Sequence, residues 1–472
     1  MSVSPARAAA FDILLRIERT DAYASEMLHS SRFAKLSLAN HGLLTELVMG
    51  VLRWRGVLDK HIAQHSTQSF AKLDKEVLTA LRLGAYQLLF LDRVPTHAAV
   101  NESVDLVKQA RKRSAVGMVN AVLRKIDNSS HDRSDISHPD WLVERWKQNY
   151  GSETARKICD YNNSAPKQAI RVTRIQTSVG TAAPGCPRAE GPRGKLPDAS
   201  SEINRAALDG QPGAAVPTFL TNELSSDGIR LDAGSMLANS FTVTSGDITR
   251  TKAFRERRLI IQDEGSQLVA LVVGPGTAIL DCCAAPGGKT RIIAEQNPDS
   301  TIMAVELHPH RAALLKKLVM SNNLRVITAD ARQLPLNKKF DRILVDAPCT
   351  GTGTLARNPK IKWRLKAEDI SRLQIYQIAI LSSAMNHIAP RGRIIYSTCS
   401  LEPEENEEVI ERALAAKPEF RDRDCRDELQ RLKDTRELVV DNIDSLLSGH
   451  YLRTIPGVHP SDGFFAAILE KK

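Results

Sequence analysis

The chain has 472 residues and carries 65 Lys and Arg against 55 Asp and Glu, a net charge of +10. That length suits two or three domains, each with its own core, and no apolar run approaches the roughly 18 residues that a membrane-spanning helix needs. The seven cysteines form neither a CxxC pair nor a ladder of disulfide spacings. Free thiols in a reducing compartment are therefore expected, and with no secretory pattern after Met1 the expected location is the cytoplasm. The positive balance is compatible with an anionic partner without selecting one.

Residues 1–130 read as helices throughout. Leu43, Leu44, Leu47, Val48, Val51 and Leu52 recur at helical spacing, as do Val77, Leu78, Leu81, Leu88 and Leu89, the pattern of a compact bundle. Basic residues dot this region, densest at Arg111-Lys112-Arg113, and make either a solvated polar face or an RNA-facing surface. Residues 131–258 read as a linking subdomain. An amphipathic helix runs through Trp141, Leu142, Val143 and Trp146, a strand starts near Arg171, and weak strand-like alternation runs from 219 to 243. Between these, residues 177–217 lose all apolar periodicity and are dominated by Gly, Pro, Ala, Ser and charged residues, which reads as a disordered insertion.

From 259 to 472 the pattern is α/β. Strands are predicted at 277–282, 301–306, 325–329, 340–346 and 392–399, with helices at about 309–320 and 368–388. The alternation implies a doubly wound parallel sheet, whose ligands bind beyond the C-terminal strand ends. The first strand runs into Asp281-Cys282-Cys283-Ala284-Ala285-Pro286-Gly287-Gly288-Lys289-Thr290 and then a helix. Glycines there let backbone approach a ligand closely, and the helix start offers free N–H groups. A phosphate-binding P-loop needs glycine where this chain has Cys283, so that reading fails, and G-x-G-x-x-G is absent. Glu306, about 20 residues past the turn, suits the two hydroxyls of a ribose. Asp330, at the next strand end, suits an adenine amino group, or else caps a helix. One glycine turn and two acidic strand ends without a phosphate motif suit S-adenosylmethionine.

Two further strands run into cysteine-bearing turns, Asp346-Ala347-Pro348-Cys349-Thr350-Gly351-Thr352-Gly353 and Ser397-Thr398-Cys399-Ser400. A lone free cysteine is usually a small buried apolar residue, but a pair at neighbouring strand ends, one after Asp-x-Pro, favours chemistry. No second Cys or His stands at short ligand spacing from either, so no metal is expected. The reaction that needs this set is methylation of a pyrimidine at carbon 5. A thiolate adding to carbon 6 turns the ring into an enamine that attacks a methylsulfonium, and a carboxylate near ring nitrogen 3 supports the addition. A base then removes the carbon-5 proton, and a second cysteine can help release the product. Residue chemistry alone does not rank the two cysteines.

The strings Cys-Ala-Ala-Pro-Gly-Gly-Lys-Thr at 283–290, Asp-Ala-Pro-Cys-Thr-Gly-Thr-Gly at 346–353, Tyr-Ser-Thr-Cys-Ser-Leu at 396–401 followed by Glu-Pro-Glu-Glu-Asn-Glu, and Ser461-Asp462-Gly463-Phe464-Phe465 resemble the RNA 5-methylcytosine methyltransferases. Leu81-Arg82-Leu83-Gly84-Ala85-Tyr86-Gln87 and His97-Ala98-Ala99-Val100-Asn101-Glu102 resemble the NusB-type RNA-binding domain. The combination resembles the bacterial members that act on 16S ribosomal RNA, and covers nearly the whole chain except about 177–217. It implies a multidomain protein, an all-α NusB-like bundle followed by an α/β Rossmann-like class I methyltransferase domain, working as a monomer off the membrane. It implies Cys399 as nucleophile, Cys349 in product release and Asp346 facing the cytosine. DNA cytosine methyltransferases instead use their Pro-Cys cysteine as nucleophile, so the reverse order stays open. The resemblance further implies that Cys283, Ala284, Ala285, Pro286, Gly287, Gly288, Lys289, Glu306, Asp330 and Asp346 line the S-adenosylmethionine site. The family commonly has Asp where this chain has Glu306. The basic stretch carrying Arg357, Lys360, Lys362 and Arg364 around Trp363 is expected to grip RNA phosphates and wall the base pocket. The acidic run after Cys399 fits a helix N-terminus. The rival readings are a transfer-RNA cytosine-5 methyltransferase and a non-catalytic RNA-binding factor.

Overall fold

The structure, a computed structural model, describes residues 3–20, 22, 24–28, 30–33, 35–127, 136–173 and 215–472. The insertion expected at 177–217 lies outside the described residues except for its last three.

The N-terminal domain is a bundle of α1 (Pro5–Arg19), α2 (Ala24–Leu28), α3 (Leu38–His65), α4 (Lys75–Phe90), α5 (Thr96–Gln109) and α6 (Val116–Lys125). The long α3 starts at Ser37, whose side chain accepts from the Asn40 backbone N–H and so satisfies one of the helix's free donors. Leu44, Leu47, Val48, Val51, Leu58 and Ile62 form its buried stripe, closed over by Ile13, Leu14, Leu81 and Leu123.

The linking subdomain follows with α7 (Asp140–Asn163), β1 (Gln168–Val172), α8 (Ala215–Ser226), β2 (Arg230–Ala233), β3 (Ser240–Ser245), α9 (Lys252–Arg255) and β4 (Leu259–Ile261). Its strands form an antiparallel sheet in the order β2-β3-β1-β4. Two sequence expectations change here. The alternation predicted from 219 begins as helix α8, because Leu220 and Leu224, four residues apart, both pack into the core beneath the sheet. And β4 pairs with β1, so the small sheet runs past the expected boundary at 258.

The third unit contains α10 (Glu264–Val272), β5 (Ala278–Asp281), α11 (Gly288–Gln296), β6 (Thr301–Glu306), α12 (Pro309–Leu318), β7 (Leu324–Thr328), β8 (Phe340–Asp346), α13 (Ile361–Arg364), α14 (Ala367–Met385), β9 (Ile388–Thr398), α15 (Glu407–Ala416), β10 (Phe420–Arg423), α16 (Arg426–Asp434), β11 (Leu447–Ser448), β12 (Tyr451–Thr454) and β13 (Phe464–Lys471). The five predicted strands are parallel neighbours in the order β7-β6-β5-β8-β9. Antiparallel β13 joins β9 and carries β10, β12 and β11 beyond it, an extension the parallel-sheet reading did not include. The chain runs from β5 outward to β7 and then returns to β8 beside β5. This places a topological switch point, the preferred ligand crevice of such sheets, between the ends of β5 and β8.

The basic segment expected to grip RNA fastens the domains together instead. Lys362 is 1% exposed and its Nζ donates to the Arg53 carbonyl at 2.9 Å, while Trp363 Nε1 donates to the Leu52 carbonyl at 2.6 Å. Arg53 returns a bond from Nη2 to the Ala356 carbonyl at 3.1 Å. Lys360 donates to the Ala22 carbonyl, and Arg364 to the carbonyls of Ile17 and Thr20. The last two are acceptors at the end of α1, where a helix presents free carbonyls and the negative end of its dipole. Arg357 turns to Asp263 at 2.9 Å and Asp462 at 2.7 Å. Each of these four side chains thus donates to a protein acceptor, and Lys362 is buried out of reach of a phosphate.

Trp363→Ala should destabilise the protein by on the order of 3 kcal/mol through lost packing at the domain junction. Lys362→Met should be close to neutral, since it removes a buried amine, whose pKa burial pushes well down, along with one hydrogen bond. Denaturant unfolding of the two variants reads the contrast.

Candidate active site

β5 ends in Asp281, and the chain turns at once into the glycine-rich stretch. The Ala285–Pro286 peptide is cis, and Gly287 has φ +113°, a backbone conformation that side chains disfavour. A Cβ on Gly287 would also lie 2.6 Å from Leu315 Cδ1, so the turn and α12 touch without room for a side chain. Asp281 lies beneath this turn, where it accepts from Thr290 Oγ1 at 2.7 Å. Sequence reading passed over it, as it did Arg311, whose Nη2 reaches from α12 to the Ala285 carbonyl at 3.0 Å.

Glu306 ends β6. It is 4% exposed and accepts from the His308 backbone N–H at 3.0 Å. Asp330 follows β7. Its carboxylate accepts from the backbone and guanidinium of Arg332 and caps the short turn at 331–333, so the capping alternative is realised. Cys283, within the turn, lies in the fields of Asp281, Asp346 and Glu306, and burial foremost pushes its thiol well up. Cys283, Glu306 and Asp346, which stand at the ends of three strands, therefore lie near one another.

β8 delivers Asp346, whose two oxygens accept from Lys289 Nζ at 2.8 Å and Ser397 Oγ at 2.9 Å. Burial works to lower the pKa of Lys289, but the Asp346 carboxylate overrides it and raises it. Three residues beyond Asp346, Cys349 Sγ stands 3.2 Å from Cys399 Sγ and accepts from the Cys399 backbone N–H at 3.3 Å. Contact with Cys399, together with burial, pushes the Cys349 thiol well up. A cavity of about 300 Å³ opens beside Cys349 and Thr350. Arg357, Pro359, Ile361 and Leu365 line it, along with Ala24 of the helical domain. Residues of the basic segment thus line a cavity beside Cys349.

Both cysteine turns are held from outside the sheet. Gly353 and Gly463 lie back to back, and the Gly463 N–H donates to the Gly353 carbonyl at 2.8 Å; a Cβ on Gly353 would come within 2.3 Å of the Gly463 carbonyl oxygen. This contact explains the glycine of the terminal Ser-Asp-Gly-Phe-Phe string. On the other side, Arg145 of α7 pairs with Glu402 and Glu404 at 2.8 and 2.7 Å, and Trp146 Nε1 donates to Glu402 at 3.2 Å.

A Rossmann-like sheet with a glycine turn at its switch point and two thiols beside it defines a methyltransferase. The sequence model of the family described as 16S rRNA methyltransferase RsmB/F matches residues 268–470, that of the NusB family residues 4–128, and that of the ferredoxin-like domain of RsmF/B-like methyltransferases residues 138–183. The chain is 31% identical to the probable ribosomal RNA small subunit methyltransferase B of Bacillus subtilis across 100% of both chains. It is 31% identical to the ribosomal RNA small subunit methyltransferase B of Vibrio cholerae over 92% of this chain and 90% of that one. The crystal structure of PH0851 shares the fold over 100% of both chains, with a TM-score of 0.75 and 23% identity. The chain belongs to the 16S rRNA methyltransferase RsmB/F family.

Burial pushes the Asp281 carboxyl up to about 7, against about 3.9 in an unfolded chain. The folded protein holds this proton between about pH 4 and 7 where the unfolded chain does not, so the group's contribution to stability is full below about pH 4 and is lost as pH rises through about 7. The stability of Asp281→Asn relative to wild type should therefore rise over that window and level off above it. Parallel curves in a pH series of denaturant titrations would contradict this.

Proposed function

We propose that this protein transfers a methyl group from S-adenosylmethionine to carbon 5 of a cytidine in 16S ribosomal RNA, through a covalent adduct with Cys399. The observation that carries the reading is the pair of thiols 3.2 Å apart beside an Asp346 carboxylate that Lys289 of the glycine turn holds in place. The family match and the names of the full-length relatives support the RNA substrate.

The residues fit the methyl donor. The turn from Cys283 through Ala284, Ala285, Pro286, Gly287 and Gly288 to Lys289 presents close backbone, with no side chain at Gly287. Buried Glu306 offers a carboxylate to the ribose hydroxyls, and the adenine meets the Asp330–Arg332 pair. When bound, S-adenosylmethionine supplies an electrophilic methyl group. Cys399, as thiolate, bonds to carbon 6 of the cytosine. Asp346 faces ring nitrogen 3 and stabilises the ring as electron density moves toward carbon 5. Once carbon 5 carries the methyl group, its proton leaves to a base, the Cys399–carbon 6 bond breaks, and Cys349 assists the release. The cavity beside Cys349 receives the flipped-out base, and the helical domain, as a NusB-like module, carries the RNA. The protein works as a cytoplasmic monomer; among the described residues no helix is long and apolar enough to cross a membrane.

Incubation with labelled S-adenosylmethionine and 16S RNA should yield 5-methylcytidine. Cys399→Ala should abolish transfer, and Cys349→Ala should accumulate a covalent protein–RNA adduct. Absence of label in any RNA would overturn the reading. Label confined to transfer RNA would move the substrate, and an adduct in Cys399→Ala would reverse the two thiols.

A further inference from the structure

Glu405 is fully buried in the short turn between β9 and α15. One of its oxygens accepts from the Thr350 backbone N–H and from Gln377 Nε2, both at 2.9 Å. The other accepts from the hydroxyls of Thr350 and Ser400. Thr350 follows Cys349 and Ser400 follows Cys399, so one carboxylate holds the neighbours of both thiols. The two hydroxyls are themselves 3.1 Å apart. Gln377 also donates to the carbonyl of Pro348, on the other side of Cys349, at 2.9 Å. Glu405 is in turn anchored to the sheet, since its backbone carbonyl accepts from Tyr396 OH at 2.6 Å.

Burial pushes the Glu405 carboxyl up, against the four donors that favour its charged form. A buried carboxylate is an expensive way to fill space, because apolar residues of the same size pack there at lower cost. What it does that an apolar residue does not is fix two separate turns to one point. The rotation it constrains is the one that sets where each thiol faces.

We propose that Glu405 is a positioning residue for the methyl-transfer reaction, locking the Cys349 and Cys399 turns together so that both thiols meet the same cytosine ring. This rests on the function proposed above. Misplacing a reacting group by about 1 Å costs about 100-fold in rate. Glu405→Ala should therefore lower kcat by about that factor while the KM for S-adenosylmethionine stays within about twofold of wild type. Glu405→Gln keeps an oxygen for the two N–H donors and an amide for the two hydroxyls, which can turn to accept. It should restore kcat to within about tenfold of wild type.

A second readout needs neither RNA nor methyl donor. Diamide takes up the two thiol hydrogens as a Cys349–Cys399 disulfide forms, and mass spectrometry counts the cross-linked peptide. Cross-linking should slow strongly in Glu405→Ala and stay near the wild-type rate in Glu405→Gln. If Glu405→Ala does not fold, Thr350→Val, which deletes one of the four donors, decides: cross-linking and kcat should each fall by about tenfold, the weight of one hydrogen bond. Wild-type kcat and cross-linking in Glu405→Ala or Thr350→Val would overturn the proposal. So would a loss of kcat accompanied by a raised KM and unchanged cross-linking, since that pattern marks general damage. If wild type transfers no methyl group, the proposed function fails, and the cross-linking comparison still tests the clamp.

Discussion

The ammonium of Lys289 and the carboxylate of Asp346, 2.8 Å apart, join the two halves of the site. One belongs to the turn after β5, the other to the end of β8, and these strands adjoin where the chain switches sides of the sheet. Burial alone would make such a pair costly, because two ions leave water. Here each ion keeps a further partner: Asp346 takes a second donor from Ser397 on β9, and Lys289 lies 5.2 Å over the ring of Phe464 from the C-terminal strand. Four stretches far apart in sequence are thereby fixed around one charge pair, and the thiols sit immediately beyond it.

The rest of the molecule braces that arrangement from behind. α7 carries Arg145 and Trp146 to the acidic loop just past Cys399. The segment 357–364 plugs the helical bundle into the loop just past Cys349. Arg357, between Asp263 and Asp462, ties the start of the α/β unit to its end. Because these contacts run to the loops that carry the cysteines, all three parts of the chain brace those loops. Ala24 of the bundle shares a cavity wall with Cys349.

The sheet was legible in the sequence because each parallel strand is a short apolar run closed by a turn, and the residues that matter stand at those closings: Cys283, Glu306, Asp346 and Cys399 all fall where the runs end. The helical domain was legible from its period. What the sequence hid is what depends on pairing across hundreds of positions. Arg364 and Lys362 look like any exposed cations until their carbonyl partners in α1 and α3 are known. Glu405 looks like one more acid at a helix start, yet its partners lie in the other cysteine turn. The run from 219 reads as strand because strands favour Phe219 and Thr221; only the core beneath the small sheet selects the helix. Asp330 was open to both readings, and its bond from the Arg332 backbone N–H shows the cap.

The identity of the nucleophile is the point on which the mechanism turns, and a fluorinated substrate reads it directly. A fluorine at carbon 5 cannot leave as a proton does, so an RNA carrying 5-fluorocytidine halts the reaction after methyl transfer with the thiol still bonded to carbon 6. Wild-type protein incubated with such 16S RNA and S-adenosylmethionine, then digested and sequenced by mass spectrometry, should carry the nucleotide on the peptide containing Cys399. A nucleotide on the Cys349 peptide, or on neither, would contradict the assignment.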